Sequence, residues 1–182
     1  MKIIVTGNPD FKGLCHGLKS VLDSYEVTYI SRSNGYDLSN VEYITNIIKD
    51  YDVFINSTNV PNDGQLNLLN SVYNAWDAGY IINVSTTSVY WNNQKNLEYY
   101  ERKLRLEQRS KELSNQSAEF GHKVRVSCIA YGELDTISQQ SRNDNRNKMS
   151  VVTAANYIKM LIESPADINI NYICLDPRQT NS

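Results

Sequence analysis

The sequence is poor in the residues that build disulfide frameworks, metal centres and membrane spans. Its 182 residues include only three cysteines and two histidines. Cys15, Cys128 and Cys174 lie far apart and form no CxxC pair. We therefore expect neither a disulfide framework nor a zinc site, and a reducing cytoplasm fits this cysteine usage best. No apolar run approaches the roughly 20 residues that a membrane-spanning helix needs.

The sequence also lacks an excess of either charge. It has 18 Lys and Arg against 20 Asp and Glu, a formal net charge of −2. Because it has no run of basic residues, the sequence does not predict a positively charged surface that would bind a polyanion, and nucleic-acid binding is not expected. Hydrophobic residues make up 41% and charged residues 21%, which is typical of a globular protein. The length predicts one domain over residues 1–182.

Short apolar and β-branched segments alternate with segments of helical spacing along the chain. The predicted strands are Lys2–Val5, Glu26–Ser31, Asp52–Asn56, Tyr80–Val84, Lys123–Ala130 and Asn171–Leu175. The predicted helices are Gly13–Tyr25, Ser39–Asp50, Gln65–Gly79 with Gly79 as its C-cap, Leu97–Leu113 and Ser150–Glu163. The pattern predicts an α/β fold, a doubly wound parallel sheet. Met1–Gly7 has the pattern of a strand rather than of a signal peptide.

The first strand and first helix have the setting of a dinucleotide-binding turn. Gly7 follows the strand and Gly13 opens the helix, where backbone N–H groups can meet a pyrophosphate. An ordinary strand-to-helix turn explains the two glycines equally well. Arg32 follows the second strand, where an arginine suits the 2′-phosphate of NADP, although a solvated arginine is as good an interpretation. Asp37 is either an adenine contact or a turn residue before the next helix.

A second group of residues has the chemistry of an acid–base site. Tyr99 and Lys103 are four residues apart on a predicted helix and share a face. An ammonium near a phenol favours the phenolate, so we expect the pKa of Tyr99 to be lowered. Thr86 lies at the carboxyl end of a predicted strand, where its hydroxyl could bond a substrate carbonyl. The alternative for Ser85–Ser88 is a hydroxyl-rich loop that satisfies its own backbone.

Taken in order, these motifs resemble the short-chain dehydrogenase/reductase superfamily over almost the full chain. The matching segments are Thr6-Gly7 with Gly13 (TGxxxGxG), Asp37-Leu38, Val53–Thr58 (the strand and turn NNAG), Ile82–Thr86 (INxSS), Tyr99–Lys103 (YxxxK) and Val124–Gly132 with Thr136 (IRVNxIxPG…T). The resemblance implies a Rossmann fold. The stretch between the second strand and Asp37 has no room for a helix. One crossover is therefore expected to be clipped, which here means that it is a short connection without a helix.

The resemblance also implies a function. Tyr99 would be the general acid for carbonyl reduction, Lys103 would lower its pKa and hold the nicotinamide ribose, and Thr86 would orient the carbonyl of a small carbonyl or alcohol substrate. Arg32 would select NADP over NAD. The implied cofactor-binding residues are Gly7, Asn8, Phe11, Gly13, Arg32, Asp37, Leu38, Asn56, Ser57, Thr58, Tyr99, Lys103, Tyr131, Gly132 and Thr136. Family members often pair through the YxxxK helix, so a homodimer or homotetramer is expected.

The sequence departs from the family pattern in the cofactor turn. Phe11 stands at the middle glycine, Pro9 has no N–H to donate, and Asp10 would repel a pyrophosphate. Tyr131 replaces the usual proline, and the relay asparagine has two candidates, Asn67 and Asn70. The alternatives are therefore a nucleotide- or protein-binding module without turnover, and a sugar-nucleotide-modifying enzyme that lacks its second domain.

Overall fold

The computed structural model describes residues 1–90, 96–137 and 147–178. Its strands are β1 Lys2–Thr6, β2 Glu26–Ile30, β3 Val53–Asn56, β4 Gly79–Thr86, β5 Val124–Tyr131 and β6 Tyr172–Leu175. Its helices are α1 Leu14–Val21, α2 Val41–Ile48, α3 Gly64–Ala75, α4 Leu97–Phe120 and α5 Val151–Ile162. All paired strands are parallel, in the order β2-β1-β3-β4-β5-β6. The predicted α/β class and doubly wound parallel sheet are confirmed.

The sheet separates two hydrophobic layers because successive residues of a strand face opposite sides. In β1, Ile3 and Val5 pack on one side with α1 and α5, whereas Ile4 packs on the other side with α2, α3 and α4. Gly17 of α1 lies against the backbone of Val151, and a Cβ at this position would collide with it. Helices α1 and α5 therefore pack closely against each other.

The clipped crossover lies between β2 and α2. A single 3₁₀ turn, Arg32–Asn34, takes the place of a helix and ends at Gly35, whose φ of 92° is left-handed. In the doubly wound order 3-2-1-4-5-6, another strand lies outside the second one. Here β2 is the edge of the sheet. The chain thus returns directly from the carboxyl end of β2 to α2.

Three helix ends differ clearly from the sequence predictions. Helix α1 ends at Val21 rather than at Tyr25, with Leu22 as its C-cap. Gly79 is not a C-cap, because α3 ends at Ala75 and Gly79 begins β4 with a φ of 156°. A Cβ on Gly79 would collide with the ring of Trp76, which explains the glycine. Helix α4 continues past Leu113 to Phe120, and its small buried Ser117 bonds the carbonyl of Val124 at the start of β5. Within the described ranges, no helix is both long enough and apolar enough to span a bilayer.

Candidate active site

The first cleft has a volume of about 430 Å³ and opens at the carboxyl ends of β4 and β5. The register of these strands pairs Thr86 with Tyr131, so both residues reach the same edge of the sheet. Helix α4 brings Tyr99 and Lys103 to the cleft. Its lining consists of Leu14, Ser57, Asn59, Val84, Ser85, Thr86, Ser88, Asn96, Tyr99, Tyr100, Lys103, Tyr131, Gly132, Glu133, Leu134 and Thr136. The structure therefore brings together all three residues expected to be catalytic.

Lys103 lines this cleft but is almost wholly buried. The residue is 5% exposed, and its Nζ donates to Oε1 of Gln65 at 2.8 Å and to the carbonyl of Val84 at 2.9 Å. Burial lowers the pKa of Lys103 from 10.5 to about 8, while Cys128 and Glu107 act in the opposite direction. The amine can consequently change its charge near neutral pH.

Tyr99 differs from the sequence prediction in its pKa. Burial raises the pKa of the phenol above its ordinary value, with a smaller contribution from Tyr100. The Nζ atom of Lys103 lies 5.8 Å from the centroid of the Tyr99 ring and directs two of its bonds to other groups. The expected lowering of the pKa of Tyr99 is therefore wrong for this structure, and the phenol is protonated at neutral pH.

Thr86 occupies the last position of β4 and is half-buried. Its Oγ1 accepts a hydrogen bond from the backbone N–H of Ser88 at 3.3 Å. A threonine hydroxyl that accepts one bond retains a proton to donate. Thr86 can therefore donate to an oxygen that enters the first cleft.

A buried amide cluster beneath the cleft includes a residue that the sequence analysis missed. Gln65 donates from Nε2 to the carbonyls of Asn56 at 2.6 Å and Val84 at 3.1 Å. Asn56 donates to Asn83 at 2.9 Å, because the register of β3 and β4 pairs these two residues. The sequence carries a signal for Gln65: it is the polar member of the buried stripe that continues at i+3, i+4 and i+7 with Leu68, Leu69 and Val72.

The two relay candidates lie elsewhere. Asn67 is exposed and donates to the carbonyl of Asn62 at 3.4 Å. Asn70 accepts a bond from Nε of Arg109 at 2.8 Å. Neither lines the first cleft, and the amide that contacts Lys103 belongs to Gln65. The structure therefore places neither candidate asparagine beside Lys103.

The second cleft, of about 310 Å³, lies between the carboxyl ends of β1 and β2. Its lining includes six of the expected cofactor-binding residues, Gly7, Asn8, Phe11, Arg32, Leu38 and Thr58. Three serines of this region, Ser31, Ser33 and Ser39, add hydroxyls to it. Asn59 lines both clefts, so they adjoin along the strand ends.

Only a glycine fits at position 7, in the turn after β1. Its φ is 136°, and a Cβ would collide with Sγ of Cys15. Thr6 ties this turn to the next strand, because its Oγ1 accepts from the backbone N–H groups of Ser57 at 2.9 Å and Thr58 at 3.1 Å. Gly13, also expected to bind the cofactor, is the N-cap of α1 and lines neither of the two clefts.

The unusual residues of the turn leave the second cleft open. Phe11 lines this cleft with its side chain largely outside, since the residue is 63% exposed. The Asp10 carboxylate lies 3.7 Å from the ammonium of Lys19, which offsets its negative charge. Nδ2 of Asn8 donates to Oγ of Ser33 at 2.8 Å and joins the turn to the end of β2.

The remaining expected residues fall into two groups. Ser57, Tyr131, Gly132 and Thr136 line the first cleft. Asp37 lines neither cleft; its carboxylate accepts from the backbone and hydroxyl of Ser39, which lowers its pKa and forms a turn before α2. The side chain of Asn56 is fully buried and belongs to the amide cluster. The family resemblance implies a short polar substrate loop over residues 137–149, most of which lies outside the described residues.

The comparisons with known proteins establish the fold. No protein-family model and no curated protein matches the chain. Solved structures do match, among them a short-chain dehydrogenase from Burkholderia cenocepacia J2315 in complex with NADP, at 20% identity and a TM-score of 0.73, over 94% of this chain and 86% of that one. A 3-ketoacyl-(acyl-carrier-protein) reductase from Brucella melitensis complexed with NADH matches at 14% identity and a TM-score of 0.77, over 96% of both chains.

A serine dehydrogenase from Escherichia coli is similar at 16% identity, with a TM-score of 0.69 over 96% of this chain and 97% of that one. These likenesses confirm, at the level of the fold, the resemblance that the sequence motifs indicate. The chain has the Rossmann-type fold of the short-chain dehydrogenases/reductases.

Proposed function

We propose that the protein is a short-chain dehydrogenase/reductase that transfers a hydride between a nicotinamide cofactor, NADP in preference to NAD, and a small carbonyl or alcohol substrate. One observation carries this proposal. Thr86, Tyr99 and Lys103 line a single cleft at the carboxyl ends of the strands, and that cleft adjoins a second one that contains Arg32.

The residues of both clefts fit a dinucleotide. At the second cleft, Arg32 offers a guanidinium and Ser33 a hydroxyl, which are the groups that bind a phosphate. Gly7 lines this cleft without a side chain, and a Cβ at this position would collide with Sγ of Cys15. At the first cleft, Ser57, Tyr131, Gly132 and Thr136 would surround the nicotinamide end. When bound, the cofactor supplies or accepts the hydride, and the protein supplies alignment and the proton.

Each catalytic side chain has a distinct role in this proposal. Thr86 donates a hydrogen bond from its hydroxyl to the carbonyl oxygen and so orients the substrate, while it keeps its own proton. Tyr99 transfers its phenolic proton to that oxygen during reduction. Because the pKa of Tyr99 is raised, the proton donor is fully present at neutral pH, and the alcohol-oxidising direction is favoured at alkaline pH. Lys103 offers positive charge and an N–H to the groups in the cleft.

Further features support a substrate class, a cellular location and an oligomeric state. The first cleft is lined mainly by hydroxyl and amide side chains, which suits a small polar carbonyl or alcohol. The cysteine usage of the sequence supports a cytoplasmic location, and the resemblance of α4 to the family's pairing helix supports a homodimer or homotetramer.

A second candidate is a nucleotide-binding module of the same fold without turnover. It is favoured by the turn itself, in which Pro9 lacks an N–H and Phe11 stands where a glycine would admit the diphosphate. This candidate predicts binding without hydride transfer.

Titration with NADPH and NADH, followed by fluorescence, and then a screen of carbonyl substrates tests the proposal. The proposal predicts saturable NADPH binding and consumption of NADPH with at least one small carbonyl. Binding without turnover across a broad screen would favour the module, and absence of binding would reject both.

A further inference from the structure

The amide of Gln65 has one orientation that the surrounding backbone determines. Its side chain lies in the first turn of α3 and is 5% exposed. Its Nε2 faces two backbone carbonyls, those of Asn56 at 2.6 Å and Val84 at 3.1 Å. Carbonyl oxygens only accept, so the NH₂ end must face them and the flipped amide is excluded. The Oε1 atom is thereby committed to Lys103, at 2.8 Å from its Nζ.

This arrangement fixes the direction of the ammonium group. An ammonium has three N–H bonds in a tetrahedral arrangement. One points to Gln65 and a second to the carbonyl of Val84 at 2.9 Å. Because Lys103 also lines the first cleft with Tyr99, the third N–H is left for groups in that cleft.

Hydrogen bonds from several helices and strands hold Gln65, whose Oε1 accepts from Lys103, in place. Nδ2 of Asn56 donates to the backbone carbonyl of Gln65 at 2.8 Å and to Oδ1 of Asn83 at 2.9 Å. Asn83 in turn donates to Ser110 of α4 at 3.1 Å. Asn56, Asn83 and Ser110 are fully buried. The cluster therefore joins α3, β3 and β4 to the helix that carries Lys103. Its donors are paired, whereas the buried Oδ1 of Asn56 has no partner among the described residues.

We propose that Gln65 is a positioning residue of this site, whose fixed Oε1 atom holds the ammonium of Lys103 so that one N–H points into the first cleft. The catalytic consequence rests on the proposed function, whereas the hydrogen bond itself does not. Burial lowers the pKa of Lys103 to about 8, so an acceptor for the charged form decides how much ammonium is present near neutral pH.

The titratable and charged neighbours of Lys103 come from two elements. Cys128 faces it from β5, and Tyr99, Arg102 and Glu107 belong to its own helix. Its hydrogen-bond partners on α3 and β4 are neutral, namely the amide of Gln65 and the backbone carbonyl of Val84. A neutral substitution at Gln65 therefore alters the hydrogen bonding of Lys103 without changing the charge around it.

The first experiment measures the Lys103 ammonium directly, by ¹⁵N NMR of lysine side chains, with Lys103→Met to assign the signal. Gln65→Met keeps the length of the side chain and removes its oxygen, and Gln108→Met makes the same change at an exposed position of the same helix as Lys103. We expect Gln65→Met to lower the titration midpoint of Lys103 by about one unit, and Gln108→Met to leave it in place. An unchanged midpoint in Gln65→Met would overturn the proposal.

A second variant covers the case in which Gln65→Met does not fold. Gln65→Glu retains an oxygen facing Lys103 and adds negative charge. It should raise the midpoint by about one unit. The same midpoint as in the wild type would mean that residue 65 does not contact the ammonium.

The second experiment is a double-mutant cycle on NADPH affinity. Gln65→Met should weaken binding about tenfold in the wild type and have no further effect in Lys103→Met, because Gln65 acts through that lysine. Equal losses in both backgrounds would show a merely structural role and contradict the proposal. If the wild type binds no NADPH, the proposed function fails, and the NMR midpoints alone decide the positioning role.

Discussion

The two clefts are built differently although they lie side by side on the same edge of the sheet. At the first cleft, Lys103 is buried and donates to two fixed partners, the amide of Gln65 on α3 and the carbonyl of Val84 on β4. In the second cleft, Arg32 and Phe11 are exposed. The difference follows from the topology: the central strands β3, β4 and β5 are covered on both faces, whereas β2 is an edge strand whose crossover is a single 3₁₀ turn. Buried, hydrogen-bonded side chains are therefore concentrated at the first cleft, where we propose that the proton is transferred.

The largest effect is expected from removing the phenolic hydroxyl in the first cleft. Tyr99→Phe should lower kcat by about 10²- to 10⁴-fold, because the general acid is lost, and leave NADPH affinity within about twofold. Steady-state kinetics and a fluorescence titration measure the two quantities. Tyr100→Phe is the matched control, since Tyr100 lines the same cleft one residue away. Persistent turnover in Tyr99→Phe, with loss in Tyr100→Phe, would transfer the role to Tyr100.

The burial of Lys103 should appear in the pH dependence of stability. Its pKa is 10.5 ordinarily and about 8 in the folded protein, so the unfolded chain binds more protons between these values. This group's contribution to stability is therefore smallest below about pH 8 and rises towards pH 10.5, by about 3 kcal/mol in total.

Chemical denaturation of the wild type and Lys103→Met at several pH values measures this contribution. The stability of the variant relative to the wild type should fall between pH 8 and 10.5, because the variant has no amine to deprotonate. Lys49→Met, at an exposed lysine at the end of α2, should show a flat difference. A flat difference for Lys103→Met would mean that the ammonium is solvated.

A smaller change is expected at the second cleft. Arg32→Asp replaces a guanidinium with a carboxylate that repels a 2′-phosphate and can bond a ribose hydroxyl. We expect the ratio of NADPH to NADH affinity to fall about 10- to 100-fold, as measured by fluorescence titration. Lys49→Asp, a charge reversal at an exposed lysine at the end of α2, is the control. An unchanged ratio would remove the 2′-phosphate role of Arg32.

The smallest effect is expected at Phe11. Because its side chain is largely exposed, Phe11→Ala should change NADPH affinity by less than about threefold, a difference below 1 kcal/mol. The same titration measures it. A large gain in affinity would show that the ring blocks the diphosphate, and that the second cleft is obstructed rather than open.

The sequence predicts most of the fold because the hydrophobic periodicities of its helices and strands are strong. The clipped crossover also follows from chain length alone, since a few residues between β2 and Asp37 cannot form a helix. The boundary at Gly79 was missed because glycine is common both as a C-cap and where a side chain has no space, and only the position of Trp76 distinguishes the two.

The sequence predicts that Thr86, Tyr99 and Lys103 lie together, and the structure places all three at the first cleft. It predicts their electrostatics less well. Spacing places Tyr99 and Lys103 on one face, but their burial depends on tertiary packing, which raises the pKa of Tyr99 and lowers that of Lys103. Gln65 was overlooked because its role depends on the carbonyls of two strands that are distant in sequence. Residue type directed attention to Asn67 and Asn70 instead.

The most direct test of the proposed site is a crystal structure of the protein soaked with NADPH. The account predicts a dinucleotide that passes Asn59, with its 2′-phosphate beside Arg32 and its nicotinamide in the first cleft within reach of Tyr99, Lys103 and Thr86. A nicotinamide located outside the first cleft, or an adenosine that avoids the second one, would contradict it.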